Sequence, residues 1–300
     1  MPISFLLKNF EQPLKNLRKK AFIGLFFLLF LAYVGGYFWL KSSFQKLAFP
    51  SLVEVPTFFF SEKMKQFGLE YEKVSLPSAY GNIEACIIPS KSENKIWLLY
   101  LQNADKLYYS EKNIWRYRIW NYLGMNVIVP NYILDEQTQS VESPEKLYQT
   151  ALVTYNYLRN TLEIPSDRIV FYGEGAGAYS AIRLGNEMSL AGIVVENGFV
   201  SLQSYLQDLY PIFNVRWVVP NWLNVEKEIT ELDKPILFFN SLKDETFPFR
   251  HTQMLYEKTA SERKKMVTLK KNLQQIKEKD GKTYQKALAD FLKELKLRNL

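Results

Sequence analysis

One cysteine and one histidine in 300 residues set the first limits. Cys86 has no second thiol to pair with, so an internal disulfide is excluded. Its place in the apolar run 83–88 reads as a buried structural thiol. His251 is the one imidazole in the chain, so any histidine base would have to be this one. An excess of charge is also missing from most of the sequence. Residues 1–46 carry seven Lys or Arg (Lys8, Lys15, Arg18, Lys19, Lys20, Lys41, Lys46) against Glu11, and so hold +6 of the net +7. The remaining 254 residues are close to neutral, which gives a nucleic-acid partner little support. No internal repeat and no low-complexity tract interrupts the chain.

Long apolar runs are present. Residues 21–40 form a twenty-residue stretch without a charge, preceded by five Lys or Arg. As a helix it would span about 30 Å, one bilayer core. The positive-inside rule then makes residues 1–20 a cytoplasmic tail and residues 21–40 a single-pass signal-anchor helix. The main domain lies outside the cytoplasm, in the periplasm if the membrane is a bacterial inner one. Tyr37, Phe38 and Trp39 would anchor the outer interface. A cleaved signal peptide is the competing reading, but its apolar region would be unusually long and no Ala-x-Ala-like site follows promptly. Residues 41–68, with Pro50 and Pro56, read as a stalk and lead-in, and residues 69–300 as the main domain.

Within that domain strands and helices alternate, which predicts a mostly parallel sheet covered on both faces. Strands are expected at 71–76, 83–88, 96–101, 126–130, 169–172, 192–195, 235–240 and 266–269. Helices are expected at 109–123, 146–160, from 176 onward, at 252–258 and at 282–297. An irregular aromatic stretch occupies 199–233. The organising segment is Arg168–Gly177. A buried strand, Ile169-Val170-Phe171-Tyr172, runs into Gly173-Glu174-Gly175-Ala176-Gly177 and then a helix. Strand, sharp turn and helix match a nucleophile elbow, Gly-x-Ser-x-Gly, with Gly175 at the serine position. The same residues also spell Gly-x-Gly-x-x-Ala up to Ala178, with Glu196 closing the next strand. That is the pattern of a dinucleotide site, although such units usually open their domain.

The surroundings favour the elbow. Ser143-Pro144-Glu145 with Leu147-Tyr148-Gln149, Ile164 to Val170, Leu190 to Phe199 with Ser201-Leu202, Tyr210-Pro211, Asp233-Lys234-Pro235 and Asp244 to Leu255 together resemble the α/β-hydrolase superfamily. The nearest branch is the membrane-anchored, serine-aminopeptidase-like one, and the resemblance covers about residues 46–291. It implies an α/β-hydrolase fold and a Ser-His-Asp hydrolase by descent, with no metal and no cofactor. It also implies specific roles. Asp244 takes the triad-acid position, with Pro248 four residues on. Gly175 takes the nucleophile position, without a side chain to attack. The base belongs in the loop 270–281, which holds no histidine, while His251 matches a non-catalytic position at a helix start. Oxyanion donors would be the N–H of Ala176 and one near Gln102 and Asn103, where Leu101-Gln102-Asn103-Ala104 replaces the family's His-Gly-Asn-Ala.

Acyl transfer on this fold needs nucleophile, base and orienting acid together. Losing serine or histidine alone removes about 10⁶ in turnover in subtilisin. The expectation is therefore a pseudoenzyme at a membrane. Its remaining pocket, built from the elbow and the aromatic stretch 199–222, would suit an acyl chain, a peptide end or a partner loop. Glu174 and Glu196 would line that pocket or lie on the surface. Ser180 and Ser241 read as capping or surface serines. Residues 261–300, with twelve Lys or Arg and five acids, read as a solvated helix face rather than a lipid contact.

Overall fold

The computed structural model describes residues 3–50, 57–92, 95–105, 107–110, 113–135, 137, 140–242, 244, 246–270 and 279–297. Its centre is an eight-stranded sheet. The strands are β1 (Glu72–Ser78), β2 (Gly81–Ile88), β3 (Ile96–Leu101), β4 (Met125–Pro130), β5 (Ile169–Glu174), β6 (Gly192–Glu196), β7 (Ile236–Ser241) and β8 (Lys264–Leu269). Their order is β1-β2-β4-β3-β5-β6-β7-β8. β1, β2 and β4 pair antiparallel, and every pair from β4 onward is parallel. The mostly parallel sheet read from the alternating pattern is therefore present. Its inner strands are near-continuous apolar runs because both faces are covered.

Period-two geometry sorts each strand between two cores. Val170 and Tyr172 of β5 face a layer containing Phe60, Trp120, Phe291 and Leu292. Ile169 and Phe171 face one containing Tyr155, Ala178, Ile182 and Leu255. The first layer is covered by α2 (Thr57–Gln66), α3 (Ile114–Tyr122) and α9 (Lys279–Glu294). The second is covered by α4 (Pro144–Asn156), α5 (Gly177–Glu187), α7 (Glu226–Glu231) and α8 (Phe249–Lys258). α4 starts as its sequence announces: Ser143 Oγ accepts the N–H of Lys146 at 3.4 Å and Pro144 sits in the first turn. Burial pushes the Cys86 thiol up to about 12, as fits a structural thiol in β2.

Two segments differ from their sequence reading. Residues 41–68 are not a free stalk. Helix α1 (Ile3–Ala48) runs through the apolar stretch without a break and ends on the domain, with Leu40 and Phe49 buried. α2 follows, with Phe60 and Met64 buried in the first layer, Phe60 edge-on to Tyr71, Tyr108 and Tyr117. The stretch 199–233 is not wholly irregular: α6 (Leu202–Leu209) starts on Ser201, whose Oγ accepts the N–H of Ser204 at 3.1 Å, and α7 follows. With the end of α1 these build a third apolar cluster, Leu40, Phe49, Phe199, Leu202, Leu206 and Val219 among them, over the carboxyl ends of the parallel strands.

A paired substitution tests whether α2 belongs to the fold. Phe60 is 1% exposed and Phe58, two residues away, 70%. Phe60→Ala is expected to cost about 3–5 kcal/mol. Phe58→Ala should stay within about 0.5 kcal/mol. Urea unfolding of the two variants reads the difference.

Candidate functional site

The turn after β5 lies at the carboxyl edge of the sheet, where open α/β sheets place their sites. Its apex, Gly175, has φ +54°, a left-handed conformation that strains any other residue. The Gly175 N–H donates to the carbonyl of Glu196 at 2.9 Å, and the Gly175 carbonyl accepts the N–H of Ala178 at 3.2 Å as α5 begins. The flanking glycines let strand and helix approach. A Cβ at Gly177 would come within 2.0 Å of the Leu101 carbonyl oxygen, and one at Gly173 within 2.6 Å of Ala178 Cα. These glycines serve packing of the turn against β3 and α5, not approach to a pyrophosphate.

The space above the apex is filled from within. Asn103 places its Oδ1 2.9 Å from the N–H of Ala176 and accepts that hydrogen. Its amide is oriented by donation from Nδ2 to Asp105 Oδ1 at 2.7 Å. A Cβ on Gly175 would meet Asn103 Oδ1 at 2.4 Å and Phe247 at 3.1 Å. The expected oxyanion donor, Ala176, is thus engaged by the protein's own side chain. At Gln102, the carbonyl accepts the Tyr132 hydroxyl and the side chain accepts from Asn113 Nδ2 at 3.1 Å, so this residue ties the loop down. The cavity left over the turn is about 100 Å³, lined by Leu47, Ala48, Asn103, Phe199, Tyr205 and Phe247 among others. Ligand pockets are typically 300–1,000 Å³.

The comparisons agree with this geometry at the level of the fold. An esterase from Pyrococcus furiosus superposes with a TM-score of 0.64 at 16% identity, covering 82% of this chain and 96% of its own. An alpha-beta hydrolase from Vibrio vulnificus gives 0.64 at 18% identity, covering 86% and 92%. In sequence, the alpha/beta hydrolase domain-containing proteins aho-3 of Caenorhabditis elegans and WAV2 of Arabidopsis thaliana are 21% identical over 177 residues and 24% identical over 157 residues. The chain has the α/β-hydrolase fold, and these relatives support a place in that superfamily. These alignments cover 59% and 46% of this chain, and it spans about half the length (52% and 50%) of the curated relatives it matches. No family model matches it.

The remaining positions of an α/β-hydrolase site can now be placed. Asp244 follows β7 and holds its own loop: Oδ1 accepts from the N–H groups of Thr246 at 3.0 Å and Phe247 at 3.1 Å, and Oδ2 from Asn197 Nδ2 at 2.9 Å. The loop where this superfamily keeps its base falls largely on residues 271–278, outside the described residues. His251 is the third residue of α8, buried, with Nε2 3.2 Å from Asp208 Oδ2 of α6 and its ring against Tyr205. Burial holds its pKa below the ordinary histidine value despite Asp208. Ser180 and Ser241 are not surface residues; both are buried.

Sequence reasoning missed the largest polar feature. Glu174 and Glu196 are neither pocket walls nor surface groups. Both are buried and converge on Arg116 of α3, itself fully buried. Arg116 donates to Glu196 through Nη2 and, at 3.2 Å, through Nε, and its Nη2 lies 3.7 Å from Glu174 Oε1. Tyr100 donates to Glu174 and Tyr172 to Glu196. Behind them Trp120 Nε1 donates to Tyr284 Oη, and Tyr284 to Tyr172 Oη, each at 2.9 Å. Locked in this way, Glu196 has no freedom to hold a ribose, which removes the dinucleotide reading. The signal available in the sequence was weak: an arginine within an aromatic helix, and acids ending two buried strands.

One cation faces two carboxylates in a dry site. Burial, the largest influence, together with the nearby Glu174, outweighs Arg116 and raises Glu196 above the ordinary glutamate range. The folded state thus holds this proton to higher pH than the unfolded chain, which releases it near the ordinary glutamate value of 4.5. The resulting stability is full below that pH and is lost as pH rises through the folded value. Glu196→Gln should flatten this decline, read as urea midpoints from about pH 4.5 to neutrality. Arg116→Met strands both carboxylates and should cost about 3–5 kcal/mol at neutral pH.

Proposed function

We propose that this α/β-hydrolase-fold protein is a membrane-anchored member without serine-hydrolase chemistry, working through binding or interaction. The observation that carries the reading is the apex: Gly175 at the nucleophile position with the Asn103 amide oxygen against it, on the Ala176 N–H that would stabilise an oxyanion. A tetrahedral intermediate needs that donor free. Asp244 holds its own loop, and His251 is buried in α8 facing Asp208. The membrane part rests on Arg18–Ala48, a helix with mean hydropathy 2.1 over its best window, none of which is buried against the domain. In this reading the domain is held at one bilayer face by α1. Its ligand would be an acyl, peptide or protein group meeting the rim of Leu47, Tyr205 and Phe247 rather than entering a deep pocket.

Fluorophosphonate labelling of the full chain in detergent tests this reading. The wild type is expected to stay unlabelled and to leave p-nitrophenyl esters untouched. Covalent labelling at any serine of the wild type would instead establish an active hydrolase using other groups, in line with the esterases of the same fold. Gly175→Ser alone should also stay silent and lower the melting temperature, because its Cβ meets Asn103. Gly175→Ser with Asn103→Ala should recover only part of that loss, because the clash with Asn103 goes while the strained φ at 175 stays and the hydrogen bond to Ala176 is lost.

A further inference from the structure

The domain touches α1 at a second place, away from the elbow. The loop between α6 and α7 packs against the apolar helix itself. Phe213 stacks on Tyr33 with ring centroids 5.4 Å apart and meets Tyr37 edge-on at 5.3 Å. Trp217 lies 6.4 Å from Tyr37, and Tyr210 5.7 Å from Trp39. Gly36 makes the approach possible, since a Cβ there would come within 2.4 Å of the Phe213 ring. At 1.5 Å per residue, Tyr33 and Gly36 lie about 10 Å and 6 Å inside the end of the span at Leu40. If α1 crosses a bilayer, the tip of this loop therefore stands at the level of its last two turns, below the membrane surface.

The tip has the composition and the backbone economy that such a place demands. Ile212 is 71% exposed and Trp217 78%, and they continue the apolar surface of α1, where Phe38 is 69% exposed. Arg216 between them is exposed, as is Lys41 just past the apolar stretch of α1, and both can reach headgroups. Much of the loop's polar backbone is served internally. Asn214 N–H donates to Tyr37 Oη at 2.9 Å, and that hydroxyl donates to the Asn214 carbonyl at 3.3 Å. Gln207 donates from Nε2 to the Phe213 carbonyl at 2.9 Å and accepts the Val215 N–H at 3.1 Å. Phe213 and Trp217 N–H groups bond within the loop at 3.1 and 3.2 Å, and Pro211 has no N–H. Irregular backbone enters lipid only when partnered in this way, and an exposed Trp-Ile pair beside a cation is an interfacial anchor.

We infer that the loop 210–219 is a second membrane contact. Ile212 and Trp217 insert into the acyl region of the leaflet on the carboxyl-terminal side of α1, and Phe213 and Tyr37 clamp the loop to the helix. The inference rests on α1 crossing the membrane and goes beyond it. A single-pass anchor alone would leave the domain free to swing, whereas this contact fixes its tilt against the lipid.

Depth-dependent quenching tests it on the full chain in phosphatidylcholine–phosphatidylglycerol vesicles. Single cysteines carry an environment-sensitive nitrobenzoxadiazole label, Cys86 being buried and unreactive. The positions are Ile212→Cys in the loop, Leu29→Cys in mid-helix, and Tyr122→Cys. Tyr122 is 73% exposed at the end of α3, which leads into the start of β4 at the opposite edge of the sheet. The label at 212 is expected to emit to the blue and lose roughly half its intensity to lipids brominated near the glycerol end. The label at 29 should be quenched by bromines deeper in the chain, and that at 122 by aqueous iodide alone. Lipid quenching at 29 with iodide quenching at 212 overturns the inference and leaves the anchor standing. Absence of lipid quenching at 29 removes the anchor, and the inference with it. Shielding of 212 from both quenchers means that protein covers the loop, and also overturns it.

Discussion

The hydrogen bond between Asn103 and the Ala176 N–H is the interaction on which the meaning of the site depends. It joins the loop after β3 to the turn after β5 across the position where substrate and enzyme would meet in a hydrolase of this fold. The turn can accept it because Gly175 offers no side chain, and the turn keeps its shape because Gly173 and Gly177 admit α5 and β3 to close contact. The backbone amide at the position of an oxyanion donor is bonded in this structure to a neutral carbonyl oxygen.

Beneath the turn lies a second polar arrangement. Glu174, inside the elbow motif, and Glu196, at the end of β6, are drawn inward by Arg116 of α3. Two strands and a covering helix are thereby fixed to one another by charge in a dry interior. Such a group stabilises the fold less than well-packed apolar side chains would, but it is costly to break, because removing one partner strands the others. Above the turn, the end of α1 and the aromatic cluster of α6 close the mouth. Held from below and largely covered from above, the carboxyl edge of the sheet is a structural joint between α1 and the domain.

The fold was legible because its signals are local. β3 is an uninterrupted apolar run, and the elbow strand, turn and helix follow one another within twenty residues. Ser143 and Pro144 marked the start of α4. What escaped was either masked or long-range. Pro50 and Pro56 suggested a broken lead-in and hid α2, whose buried Phe60 and Met64 are amphipathic over only two turns. α6 carried a capping serine in Ser201, obscured by the aromatics that follow. The pairing of Arg116 with Glu196 spans 80 positions and has no spacing rule to betray it. Asn103 was picked out within its motif, but as a neighbour of a backbone donor. That its side chain turns onto Ala176 is a fact of three-dimensional packing alone.

The most direct measurement is amide hydrogen exchange at Ala176, resolved by mass spectrometry or NMR on the detergent-solubilised chain, with Asn103→Ala for comparison. The account predicts slow exchange in the wild type and exchange roughly two- to tenfold faster in the variant, the worth of one hydrogen bond. Rapid exchange in both proteins would mean that the donor stands free, as in a working hydrolase, and would contradict the account.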